Sequence, residues 1–215
     1  MIEMSRPLDV GIRQIKSLLV KMGKLSRDSI RYALDHFYKG EEAYTQVRAW
    51  SNTIQIMAEE VEDGATELIA LHQPMAGDLR TLKAYIKIAY DLERYGRYAM
   101  DISEIQYRLG EWKPLEENGL KVKKLSDRTL KVMDMSLTMI ETMDEKMIFD
   151  LSKVEAETDE LYFENMRLLS ECRGDPKTVV AYLLTIRYLE RIADHGTYIA
   201  ESISYAATGK RISIR

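Results

Sequence analysis

The second half of this chain repeats the first at a constant offset of 97 residues. Residues 78–105 (DLRTLKAYIKIAYDLERYGRYAMDISEI) lie over residues 175–202 (DPKTVVAYLLTIRYLERIADHGTYIAES). Identical pairs include Asp78/Asp175, Thr81/Thr178, Ala84/Ala181, Tyr85/Tyr182, Leu92/Leu189, Glu93/Glu190, Arg94/Arg191, Ile102/Ile199 and Glu104/Glu201. The register holds without a gap back to Glu62/Asp159. A repeat of this length makes the protein two copies of one unit, so whatever one half folds into, the other must fold into as well.

Each unit reads as helical. Gly and Pro are scarce (11 and 4 residues), Met reaches 12, and no stretch shows the period-two alternation of a strand. Punctuation divides the chain into six helices, at about 8–38, 41–72, 78–110, 120–143, 145–172 and 175–208. Gly40, Pro74, Gly110 and Pro176 mark breaks between them. Asp78 and Asp175 are the expected N-caps of the third and sixth helices, with Pro176 at the first helical position of the latter. The segment GEWKPLEENG (110–119) carries the clustered turn signals and is the expected linker. Three long helices with short connections make an antiparallel bundle that buries one stripe of each helix. The fold class is therefore all-α: two tandem three-helix bundles, residues 1–112 and 113–215.

Composition narrows the function. A net charge of −4 offers no broad attraction to nucleic acid. A single cysteine, Cys172, excludes an internal disulfide and is expected to be inert. No apolar run approaches the roughly 18–20 residues of a membrane helix, so no membrane insertion is expected. MIEMSRPLDV lacks the apolar stretch of a signal peptide, and a cytoplasmic protein is expected. His36 and His72 read as surface or capping residues, and the methionines as core filler.

The acids carry the chemistry. Glu155 and Asp159 are four apart on the fifth helix, and Glu190 and Asp194 are four apart on the sixth. That spacing places each pair on one face, about 6 Å apart along the axis. Leu183 and Ile186 share the face of the second pair, so these acids continue an inward stripe. Helices five and six should run antiparallel, with Asp159 and Glu190 16 and 15 residues from Asp175. Four carboxylates at one level repel one another and are costly to bury, and a multivalent cation removes that problem. His195 can add a nitrogen ligand but sits about 100° off the stripe. The alternative reading is solvated charge paired with Arg187 and Arg191. In the first copy, Glu62 and Glu93 match Asp159 and Glu190, but Ala58 and Arg97 stand where Glu155 and Asp194 stand. The expectation is a weak or absent first site, with Arg97 ion-paired to Glu62 or Glu93. No glycine-rich phosphate loop, nucleophile triad or nucleotide-binding strand–turn–helix is visible, and no enzymatic activity is expected.

The segments DLERYGRYAMDI (91–102) and YLERIADHGTYIAESI (188–203) resemble the paired LERIGD-x-A-x-N-I signatures of the PhoU family. LIALHQPMAGDLR (68–80) resembles its L-A-L-Q-Q-P-V-A-x-D-L-R segment, and TDELYFE (158–164) its V-D-E-L-Y-D-E. The resemblance implies two tandem three-helix bundles with pseudo-twofold symmetry. It also implies a cytoplasmic negative regulator of phosphate uptake, acting on the ATPase subunit of the phosphate ABC transporter and on a sensor histidine kinase. Family members can bind multinuclear iron or zinc clusters through E(D)-x-x-x-D motifs. Carried over by position, the metal ligands are Glu155, Asp159, Glu190 and Asp194 in the second bundle, with Glu62 and Glu93 left in the first. A homodimer is expected from the Met- and Tyr-rich faces. The alternative function is a metal-binding carboxylate bundle with a storage or redox role. The E-x-x-H pairs of di-iron bundles are missing, since Ile192 stands three residues before His195.

Overall fold

The computed structural model describes residues 6–110, 112 and 120–214. Among these, six α-helices follow one another: α1 (Pro7–Lys39), α2 (Tyr44–His72), α3 (Ala76–Leu109), α4 (Val122–Thr142), α5 (Ile148–Glu171) and α6 (Pro176–Thr208). A single 3-10 turn, Glu145–Met147, precedes α5. Most of the expected linker, and with it the expected boundary after residue 112, adjoins or falls outside the described residues.

The helix ends follow local chemistry. Pro7 and Pro176 occupy first-turn positions, where a missing N–H costs nothing. Asp175 caps α6 by accepting from the Thr178 N–H at 3.2 Å. Asp78, expected as a cap, instead lies inside the first turn of α3. Met75 holds the cap position there, and Arg6 bonds the Asp78 carboxylate at 3.3 Å. Gly40 ends α1 at φ +70°, and its N–H returns to the last carbonyls of the helix. The start of the fifth helix is displaced to Ile148 because Asp144 accepts from the Lys146 N–H, winding the intervening residues into the tighter turn.

Helices α1–α3 pack on one another, as do α4–α6, and the two groups meet mainly through α3 against α6, with α1 against α4 alongside. The junction is close-packed. Tyr95 of α3 is fully buried and its hydroxyl lies 3.4 Å from Ser136 of α4. Gly196 of α6 sits where a Cβ would come within 2.5 Å of Val132 on α4. Phe37, Trp112 and Tyr182 form an aromatic cluster with centroids 4.8–5.8 Å apart, tying α1, the residue beyond α3, and α6 together. Each such buried side chain contributes on the order of 2 kcal/mol. One continuous apolar core runs through both groups.

Candidate metal centre

The four acids of α5 and α6 separate into a cluster and an outlier. Glu155, Asp159 and Asp194 each offer a carboxylate oxygen within 4.8 Å of the other two. Glu155 and Asp194 are buried, and Asp159 is half-buried. Antiparallel register explains the grouping: Asp194 and Glu155 lie 19 and 20 residues from Asp175, hence at one height. Glu190 lies one turn nearer the α5–α6 connection, and Arg187 takes its carboxylate at 2.9 Å. Asp194 is also held, by Arg191 at 2.7 Å. The structure thus combines both sequence readings, a convergent cluster and charges paired along the helix.

The donor set decides what cation fits. Three carboxylates supply hard oxygen ligands, with no thiolate or imidazole in the group. Such a set suits magnesium, manganese, calcium or iron better than zinc, which prefers nitrogen and sulfur. Glu155, Asp159 and Asp194 would hold the ion. When bound, it would neutralise the cluster and clamp α5 to α6.

Among the described residues, the first copy builds no counterpart. Glu62 is exposed, Glu93 is half-buried, and Ala58 fills its position as a buried core methyl. The expected ion pair of Arg97 with Glu62 or Glu93 is not among those formed by the described residues. The nearest electrostatic effect of Arg97 is a small one, lowering the Asp101 pKa after Arg94 does so, against burial and Glu104. The helical spacing accounts for this, since i and i+4 share a face. Arg94, the repeat mate of Arg191, has no aspartate three residues on. It turns to Tyr98, lying over the ring at 5.1 Å and bonding its hydroxyl at 3.4 Å.

The PhoU domain family model matches residues 19–106 and 122–203, covering both copies of the repeat. The chain belongs to the PhoU family. It is 27% identical over 208 residues to the phosphate-specific transport system accessory protein PhoU homolog of Synechocystis sp., spanning 94% of this chain and 91% of that one. It is 30% identical over 200 residues to the homolog of the same name from Caulobacter vibrioides, spanning 91% and 87%. The fold matches the crystal structures of PhoU from Pseudomonas aeruginosa (TM-score 0.87, 24% identity, 94% and 99% covered) and of the regulatory protein PhoU from Streptococcus pneumoniae (0.87, 20%, 96% and 99%).

His195, considered above as a metal ligand, has another partner in this PhoU chain. Its Nδ1 lies 2.8 Å from Oδ1 of Asp91 on α3, and both side chains are buried. Burial pushes the Asp91 carboxyl above its ordinary range, and the His195 hydrogen bond pulls it part of the way back. The repeat makes this pair informative. Asp91 corresponds to Tyr188 and His195 to Tyr98, and those two tyrosines also meet, with ring centroids 6.0 Å apart. One pseudo-symmetric contact across the α3–α6 junction is polar, and its mate is aromatic. The signal for it was present in the aligned copies, as two mismatches that exchange chemistry as a pair.

Proposed function

We propose that this protein is a negative regulator of phosphate uptake and phosphate homeostasis. It acts in the cytoplasm as an adaptor on the ATPase subunit of the phosphate ABC transporter and, where one is present, on a sensor histidine kinase. The observation that carries this reading is similarity along almost the whole chain to relatives named as accessory proteins of the phosphate-specific transport system. No helix among the described residues is long and apolar enough to cross a membrane, which agrees with a protein that reaches the transporter by contact. No catalytic role is assigned. The two repeat units, divided after residue 112, serve as a rigid double-sided scaffold, and the chain works as a homodimer. Deleting the gene and measuring phosphate uptake in phosphate-replete medium tests the regulator: uptake and intracellular phosphate rise if the reading holds, and unchanged values reject it. Light scattering on the purified protein tests the dimer.

A metal role is the second reading, carried by the buried cluster of Glu155, Asp159 and Asp194. A hard cation, iron among them, binds between α5 and α6 and stiffens the second bundle. Metal analysis of untagged protein beside Glu155→Ala/Asp194→Ala tests it: metal present in the parent and lost in the variant supports the site. The same content in both rejects it.

A further inference from the structure

The junction of the two bundles has two pseudo-equivalent flanks that differ in charge: Lys83 and Lys87 on one answer to Val180 and Leu184 on the other. On the lysine flank, α3 and the C-terminal end of α6 border a groove of about 260 Å³ lined by Lys83, Lys87, Glu201, Ser202, Tyr205 and Arg211. Residues 210–214 fold back to form its outer wall. Their course is held by the Ile214 N–H donating to Glu201 at 3.1 Å and by the Ser152 hydroxyl donating to the Ile214 carbonyl at 3.0 Å. Arg211 is thereby placed over the Tyr205 ring at 5.9 Å. Arg80, one turn before Lys83, packs its guanidinium against Gly209, 3.4 Å from where a Cβ would stand.

Counter-charge at these cations is sparse: Lys87 acts on the buried Asp91 one turn along α3, and Glu201 lies in the groove itself. Among the described residues, none of Arg80, Lys83, Lys87 and Arg211 forms an ion pair, and the Arg80 Nε is buried without a hydrogen-bond partner. The groove's one carboxylate, Glu201, is already engaged by the tail. Lys83 and Lys87 are four apart on one helix face, with Arg80 three before, so the stripe is self-repelling. The repeat shows that the fold does not require its two lysines, although Arg80 is matched by Lys177. The positions matching Lys83 and Lys87 are Val180 and Leu184, and both are exposed on the other flank.

We propose that this groove binds a small ligand carrying two adjacent phosphate groups, such as a diphosphate or a nucleoside diphosphate. Two anionic centres match lysines whose Cβ atoms stand about 5–6 Å apart. Arg211 closes from the tail side, and the half-buried Tyr205 ring offers a face to a base. The cations line a concave groove behind a folded-back tail, which suits a small molecule better than a membrane surface.

Calorimetric titration of the full chain with pyrophosphate and with ADP, at low ionic strength, tests this. The expected result is saturable one-to-one binding that weakens about tenfold or more in Lys83→Gln/Lys87→Gln. Lys146→Gln/Lys153→Gln removes the same net charge elsewhere and is expected to leave binding unchanged. Equal affinity for the two probes assigns recognition to the phosphates alone, and tighter ADP binding adds the Tyr205 ring. No saturable binding at millimolar ligand overturns the proposal. So does equal weakening in the two double variants, which would mark unspecific attraction. Binding only to vesicles of anionic lipid would overturn it in favour of a membrane surface.

Discussion

Replacing Asp159 by asparagine separates mutual repulsion from protein-built stabilisation in the acidic cluster. Its carboxylate lies within 4.8 Å of Glu155 and of Asp194. At an effective dielectric of about 20, two unit charges at that distance repel by roughly 3 kcal/mol. Asp159 faces two such neighbours, but it is half-buried, and Arg191 already neutralises part of Asp194. Allowing for that screening, the substitution should stabilise metal-free protein by about 1–2 kcal/mol. In a chain of this size that raises Tm by about 2–8 °C. The assay is scanning calorimetry in excess chelator, supported by urea unfolding. Adding manganese or ferrous iron should invert the order. An ion at a hundred times its Kd adds about 2.7 kcal/mol to the parent and much less to the variant. If Asp159→Asn is less stable than the parent in chelator, the three acids are held by compensating protein contacts and the repulsion argument is wrong.

Gly196→Ala should cost about 1 kcal/mol by urea unfolding. Crowding of Val132 at 2.5 Å outweighs the helix-propensity gain, and the cost should shrink in a Val132→Ala background, where the Tyr95 hydroxyl at 3.3 Å is the tight contact left. Asp101→Asn should be more stable than the parent at pH 7, with the difference vanishing as pH falls below the ordinary aspartate range. Burial first, then Glu104, raise the Asp101 pKa in the folded state, so its ionised form weakens folding as pH rises through that raised value. A thermal-shift series across pH checks the sign. Arg27→Ala breaks a two-pronged pair with Asp134 that joins α1 to α4. Both groups are partly exposed, so the loss in urea unfolding should stay below about 1 kcal/mol. Ala58→Glu/Arg97→Asp restores the acidic pattern of the second copy to the first and should raise metal stoichiometry in elemental analysis. An unchanged content would mean that residue identity alone does not make the site.

The helices were legible because their signals are local. Proline and glycine punctuation placed all six to within about two residues at one end or both, and four of them at both ends. The errors fell at helix starts. α3 begins at Ala76, two residues before Asp78, which therefore lies inside its first turn and not at the cap, and Asp144 wound a 3-10 turn ahead of α5. The acidic pairs were legible for the same reason, since i, i+4 spacing fixes a shared face whatever surrounds the helix.

What spacing could not rank was competition among partners. Glu190 and Asp194 look alike in sequence, yet the antiparallel register sets Asp194 opposite Glu155 and leaves Glu190 to Arg187. Arg97 forms no ion pair with Glu62 or Glu93 among the described residues, although its sequence position favours one. Composition, periodicity and punctuation determined the all-α class, and the repeat determined the doubling of the unit and the inequality of the two acidic patterns. These follow from residue identity and periodicity, which act over one or two helical turns. The tertiary structure decided that the paired mismatches Asp91/Tyr188 and Tyr98/His195 meet, and it built the groove lined by Lys83 and Lys87. Both lie where α3 meets α6 across about a hundred residues of chain, and only packing brings such distant positions within reach of a hydrogen bond or a shared charge.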